Sequence, residues 1–155
     1  MNRWKTFAFW IGLSELVGVF AGLLTRENTA IFGKTISQPS YAPPAWLFPV
    51  VWTILYALMG IGAARISLSP DGVAKRGVMN IFIAQLVVNF FWSLIFFNAG
   101  AYGFALLWLI LLWCLILWMI PAFSKVDKTA ALLQIPYLLW VSFAGFLNYG
   151  IWKLN

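Results

Sequence analysis

A chain of 155 residues that is 63% hydrophobic and 9% charged, with a mean hydropathy of +0.90, cannot cover a water-facing surface; soluble domains carry roughly a quarter charged residues. Histidine is absent and Cys114 is the only cysteine, which excludes an internal disulfide, removes the usual ligands of zinc, iron–sulfur and histidine-bound haem sites, and leaves no cofactor expected. The net charge of +6 sits at the ends of apolar segments rather than in a patch, so it reads as membrane orientation and not as a nucleic-acid surface.

A membrane-spanning helix needs roughly 20 apolar residues at about 1.5 Å of rise each. Phe7 to Leu24 forms a first span, interrupted by Glu15, and no A-x-A-like cleavage site marks it as a signal peptide. A 19-residue connection, Thr25 to Pro43, follows, long enough to act as a lid or binding element. Pro44 to Ile66 is the second span. From Gly77 to Ser124 there are 48 residues without a charge. As one helix they would measure roughly 72 Å, so they must cross twice, turning at Asn98 to Gly103. The third and fourth spans are thus 78–98 and 103–121. Thr129 to Trp152 is the fifth, with Pro136 as an expected kink. The expectation is an all-α polytopic membrane protein, one domain over 1–155 with five transmembrane helices in a single bundle.

Seven basic residues (Arg3, Lys5, Arg65, Lys75, Arg76, Lys125, Lys128) fall on one side and three (Arg26, Lys34, Lys153) on the other. The positive-inside rule then predicts a cytoplasmic amino terminus and an outward-facing 25–43 connection. The carboxylates Glu15, Glu27, Asp71 and Asp127 are scattered, and no acid–base pair is expected from their spacing. Glu15 reads either as a proton or ion site, or as a protonated residue bonding between helices. Gly18-Val19-Phe20-Ala21-Gly22 is a GxxxG sequence that packs the first helix either within the bundle or across a dimer.

Depth arithmetic points to a site. Measured from the expected outer ends of their helices, Trp52 lies about 12 Å deep, Tyr56 about 18 Å, Asn89 about 14 Å, Ala144 about 12 Å and Trp140 about 18 Å. Phe48, Trp52 and Tyr56 share one helix face, as do Gln85, Asn89 and Ser93. Gln85 and Asn89 must face the bundle, either to meet a ligand or to bond across helices. Ten tryptophans exceed what two interfacial belts require, and Trp52, Trp108 and Trp140 lie too deep for a belt. An aromatic-walled cavity suits a large, flat, mostly apolar ligand.

The string Pro39-Ser40-Tyr41-Ala42-Pro43-Pro44-Ala45-Trp46-Leu47-Phe48-Pro49-Val50-Val51-Trp52-Thr53-Ile54-Leu55-Tyr56 resembles the helix-two signature of the TspO/translocator-protein family of tryptophan-rich sensors. Gln85 to Ser93 with Phe96-Phe97, and Pro136 to Ala144 with Leu147-Asn148-Tyr149, resemble its third- and fifth-helix blocks. The resemblance implies a homodimeric membrane protein, in a bacterial cell membrane, that binds porphyrin and cholesterol as a sensor or translocator. It implies a ligand site of Trp46, Trp52, Tyr56, Gln85, Asn89, Phe104, Trp140, Ala144, Leu147 and Asn148, with Lys34 or Arg26 for propionates. Leu147, Tyr149 and Lys153 fit a short sterol pattern, which an interfacial anchor fits as well. Trp108 stands where many members carry a helix-four aspartate. Two rival functions are a proton-coupled transporter working through Glu15 and a photo-oxidative porphyrin-degrading enzyme.

Overall fold

The computed structural model describes residues 2–155, and its architecture is wholly helical among them. Helix α1 (Arg3–Thr35) is followed by α2 (Leu47–Leu68) and α3 (Val73–Ser93), which runs on through a π-helical turn (Leu94–Asn98). Then come α4 (Tyr102–Ser124), the short α5 (Lys128–Leu132) and α6 (Ile135–Leu154). Five helical stretches are long and apolar enough to cross a membrane, α5 and α6 counting together. The chain is a five-helix integral membrane protein.

Three boundaries differ from the sequence expectation. Helix α1 does not stop at Leu24 but continues to Thr35, so the long connection shrinks to 36–46. Along the polar run Thr25, Thr29 and Thr35 satisfy their hydroxyls within the helix, donating to the carbonyls of Ala21, Thr25 and Ile31. At about 50 Å, α1 overshoots a 30 Å hydrocarbon core by several turns. Helix α2 begins at Leu47 rather than Pro44, since Pro44 opens a turn through Ala45 and Trp46 in which the Leu47 amide bonds to the Pro44 carbonyl at 3.0 Å. The fifth span does not kink at Pro136. It breaks at Leu133–Gln134, and Pro136 sits in the first turn of α6, where its missing N–H has no helical partner to lose.

The turn expected after Asn98 is present, closed by Gly100 at φ +60, a left-handed conformation that glycine adopts without strain. Asn98 also ties α3 to α1, accepting from Asn28 at 2.8 Å and donating to the Leu24 carbonyl at 3.1 Å.

Helices α1 and α2 pack at their backbones. A Cβ on Gly60 would collide with the Ile11 main chain, and one on Gly18 would lie 2.5 Å from the Tyr56 ring. Gly18 of the GxxxG sequence therefore serves contact within the chain, while Gly22 has open space around it. The apolar core runs through α2, α3, α4 and α6, with Met59, Phe82, Leu112, Ile116, Phe123 and Tyr137 almost fully enclosed, and Trp10 and Val17 of α1 pack against it. Helices α4 and α6, α3 and α4, and α1 and α2 approach closely. Helices α2 and α6 instead meet mainly through side chains, leaving a seam.

The 36–46 segment is a strap lying along α6 and running antiparallel to it. Ser37 and Asn155 exchange two hydrogen bonds of 3.1 and 2.8 Å, and Tyr41 donates to the Phe146 carbonyl at 3.1 Å. Gly150 makes room, since a Cβ there would stand 2.5 Å from the Tyr41 hydroxyl. The descent continues into α2, where Phe48 meets Trp140 and Trp52 meets Tyr137. At the opposite end, Arg65 bridges to Asp127 at 3.0 Å, and Asp127 caps α5 through the Ala130 amide.

Candidate functional site

Polar groups inside hydrocarbon must find partners in the protein, and the bundle centre satisfies this with one directed chain of hydrogen bonds. Tyr56 donates to Asn89 at 3.0 Å, Asn89 donates to the Tyr137 hydroxyl at 2.6 Å, and Tyr137 donates to Gln85 at 2.7 Å. The Gln85 amide then reaches the Met59 sulfur at 3.8 Å. Helices α2, α3 and α6 are thereby joined at one level. Of the two readings of Gln85 and Asn89, this arrangement is the interhelical one: both side chains are buried and their main hydrogen-bonding groups already engaged.

Three indoles, those of Trp92, Trp108 and Trp113, are used in the same way. Trp92 donates to Asn148 at 3.1 Å, and Asn148 donates to the Tyr102 carbonyl at 2.9 Å. Trp108 donates to the Val88 carbonyl at 2.7 Å, so at the place of a helix-four carboxylate this chain has an α4–α3 clip. Trp113 donates to Ser142 at 2.8 Å. Trp140 differs, for its Nε1 is buried and has no acceptor. A buried unpaired donor costs about 1–3 kcal/mol, and the Ser14 Oγ, Glu15 Oε1 and Gln134 Oε1 atoms are likewise unpaired.

Trp140 lies on the α2–α6 seam. Its ring stands 5.7 Å from Phe48 and 5.5 Å from Phe143, and Trp52 stands 5.6 Å from Tyr56 and 6.3 Å from Tyr137. A groove of about 330 Å³ opens there, walled by Val51, Ile54, Leu55, Pro136, Leu139, Trp140 and Phe143. A second groove, about 540 Å³, runs between α4 and α6 past Leu109, Trp113, Ser142 and Tyr149.

The expected site residues therefore divide. Trp52, Tyr56, Gln85, Asn89, Trp140 and Ala144 belong to one region at the α2–α3–α6 junction. Leu147 lies instead in a second cluster with Phe96, Ala105 and Ile151, towards the strap end, where Asn148 bonds to Trp92 and Tyr102. Trp46 is exposed at the strap's end, and Phe104 is exposed on α4 beside Trp108. The sterol pattern is split as well: Leu147 is buried, whereas Tyr149 and Lys153 are exposed, the Lys153 Nζ lying 5.1 Å from the Trp152 ring centre and 5.8 Å from that of Tyr149. Depth arithmetic placed Trp52 level with Ala144, but the observed partner is Tyr137, two turns further along. The strap takes up that offset, because α2 starts well below the end of α6. Phe48 was expected on one face with Trp52 and Tyr56, whereas Tyr137 and Phe143 were not singled out from sequence. Tyr137 was findable, since 137, 141, 144 and 148 form a single helical face, and all four are buried.

Glu15 lies near Tyr56, close to the α1–α2 crossing, with Oε1 buried and unpartnered, as is the Oγ of Ser14. Neither side chain forms an interhelical hydrogen bond among the described residues. These residues contain no group of three or more histidine, cysteine, aspartate or glutamate side chains placed to hold a metal.

Comparison with known proteins places this geometry among relatives. Residues 10–153 match the TspO/MBR family. The chain is 39% identical to the tryptophan-rich protein TspO of Chlorobaculum tepidum, over 97% of this chain and 96% of that one. It is 34% identical to the tryptophan-rich sensory protein of Cereibacter sphaeroides, over 98% and 92%. It is 32% identical to the translocator protein of Bos taurus, over 92% and 86%.

Proposed function

Since the chain belongs to the TspO/MBR family and carries five helices able to span a membrane, we propose that, within its role as a membrane sensor or translocator, it binds tetrapyrroles, with flat apolar molecules of sterol type as further ligands. The observation that carries this reading is the aromatic wall of Phe48, Trp52, Trp140 and Phe143 with a buried, unpaired indole donor in it. Stacked rings offer dispersion to a flat macrocycle, and such surfaces suit large apolar ligands. Arg26 and Lys34, on the turns of α1 nearest the strap, are the cations for propionate groups. Binding rests on stacking and charge, without histidine ligation.

The protein works as a homodimer in a bacterial cell membrane, its amino terminus in the cytoplasm. The dimer and the membrane rest on family likeness, and the orientation on the seven-to-three split of basic residues. In a Cys114-free variant, a cysteine at Ser40 should label from outside and one at Ala74 should not; the reverse pattern inverts the topology.

Titration of the purified protein with protoporphyrin, followed by tryptophan quenching in the dark without oxygen, tests the ligand. Saturable quenching with the porphyrin recovered intact supports binding. Loss of porphyrin only under light and oxygen assigns photodegradation, and absence of saturation removes the tetrapyrrole reading.

A further inference from the structure

We propose that Glu15 is a proton-binding site at the middle of the bilayer, occupied by a proton in the resting protein, and that release of this proton moves the Tyr56 hydroxyl from Asn89 to the Glu15 carboxylate. The inference is independent of the tetrapyrrole reading, since it concerns the crossing of α1 and α2 and needs no ligand.

Position comes first. Lys5 and Arg26, the nearest charged residues of α1 on either side, stand about 15 and 16 Å from Glu15 along the helix, which puts it near the midplane of a hydrocarbon core about 30 Å thick. Its neighbours Leu16 and Val19 are exposed, so this side of α1 faces lipid. Glu15 itself is half-buried at the edge of the α1–α2 crossing, with one oxygen enclosed and unpartnered. Helix α2 carries a single charge, Arg65, about 14 Å beyond Tyr56 and already bridged to Asp127. Helix α3 and its π-helical turn bring none between Gly77 and Asn98. A carboxylate without a cation is at its most costly in mid-bilayer, and the neutral acid avoids that cost. A hard metal cation would need about six oxygen ligands, and no cluster of acidic side chains gathers among the described residues.

Tyr56 is the other titratable group of α2, and it lies against this part of α1. A Cβ on Gly18 would stand 2.5 Å from its Cε2 and 3.2 Å from its Cζ, so the hydroxyl end of the ring rests on α1. Gly18 is three residues from Glu15, the spacing of neighbours on one helix face. With the proton in place, Tyr56 donates to Asn89 at 3.0 Å. Once the proton leaves, the carboxylate competes for that hydrogen, and a bond to an ionised acceptor is roughly twice as strong as one to a neutral group. The chain from Tyr56 through Asn89 and Tyr137 to Gln85 then loses its first link. A charge at the α1–α2 crossing thereby acts on α3 and α6 as well.

Dicyclohexylcarbodiimide, an apolar reagent, tests the proton. A protonated carboxyl passes its hydrogen to a carbodiimide nitrogen while its oxygen adds to the central carbon. Acyl migration to nitrogen then leaves a stable N-acylurea that keeps every atom of both. In phosphatidylcholine nanodiscs at neutral pH, the full chain should be labelled at Glu15. A water-soluble carbodiimide should instead reach the exposed carboxyls Glu27 and Asp71 and spare Glu15. Glu15→Gln, which keeps the shape of the neutral acid, should remove the label, and the infrared difference between parent and variant should show the C=O stretch of an un-ionised carboxyl. In Tyr56→Phe, the loss of Glu15 labelling on raising the pH should move upward by about one pH unit, the surplus of a hydrogen bond to a charged group over one to a neutral amide. In the parent, a tyrosine infrared band should shift over the pH range in which labelling is lost, and it should stay fixed in Glu15→Gln. A parent that leaves Glu15 unlabelled, or a carboxylate stretch in the difference spectrum, overturns the proton site. A labelling profile unmoved in Tyr56→Phe overturns the switch, as does a tyrosine band that never shifts in the parent, which needs no variant at Tyr56 to fold.

Discussion

Asn89 of α3 donates to the hydroxyl of Tyr137 of α6 at 2.6 Å while accepting from Tyr56 of α2 at 3.0 Å, so one amide holds three helices together. Replacement by leucine strands the buried Tyr56 hydroxyl and leaves that of Tyr137 bonded to Gln85 alone. Asn89→Leu should lower stability by about 1–3 kcal/mol, above the roughly 0.6 kcal/mol of an average interhelical bond. Tyr137→Phe should cost a similar amount. Because the two share a network, the double variant should lose less than the sum, a coupling that thermal unfolding in detergent would reveal. Additive losses would mean the network is not cooperative.

The aromatic wall makes a separate prediction about affinity. Trp52→Ala should weaken protoporphyrin binding by about 1–3 kcal/mol, as for other aromatic stacking contacts. Trp10 packs edge-on against Phe82, nearer the amino-terminal end of α1 and away from the seam. Trp10→Ala should therefore reduce stability and leave the affinity of the folded protein unchanged. Quenching titrations of both variants distinguish these outcomes, and equal affinity losses would indicate partitioning without a site.

The strap should loosen when its seat is filled. A methyl group at position 150 meets the Tyr41 hydroxyl and lies 3.1 Å from the Pro39 ring. Gly150→Ala should raise hydrogen exchange across residues 37–42 while leaving α3 protected. Asn155→Ala, which removes the two bonds to Ser37, should produce a smaller rise in the same segment.

At the other end of the bundle, burial opposes ionisation of Asp127, but the Ala130 amide and the Arg65 guanidinium outweigh it and hold the carboxyl below its usual value of 3.8. A depressed folded value means that the pair's contribution is complete above the ordinary carboxylate range. It is lost as pH falls below that range and through the folded value. Melting temperature should therefore drop on acidification in the parent, with a smaller drop in Asp127→Asn. Identical pH profiles would show that the bridge adds nothing.

The membrane class, the number of spans and the turn at Asn98–Gly103 were legible in the residues, because a charge-free run longer than the bilayer is thick has few physical solutions. The motif strings were legible too, and they brought Trp52, Tyr56, Asn89 and Trp140 into one region. Which of them stands free was not. Asn89 and Trp140 are both polar groups in apolar helices, and sequence alone gives no reason to treat them differently. The fold pairs Asn89 with two tyrosines and leaves Trp140 without an acceptor. That outcome depends on the register between α2 and α6. Register in turn depends on α1 keeping its helix to Thr35 and on the strap spending residues 36–46 along α6 before α2 begins. Local composition cannot reveal such an offset, since it arises from contacts 118 and 105 residues apart in the chain, at Ser37–Asn155 and Tyr41–Phe146.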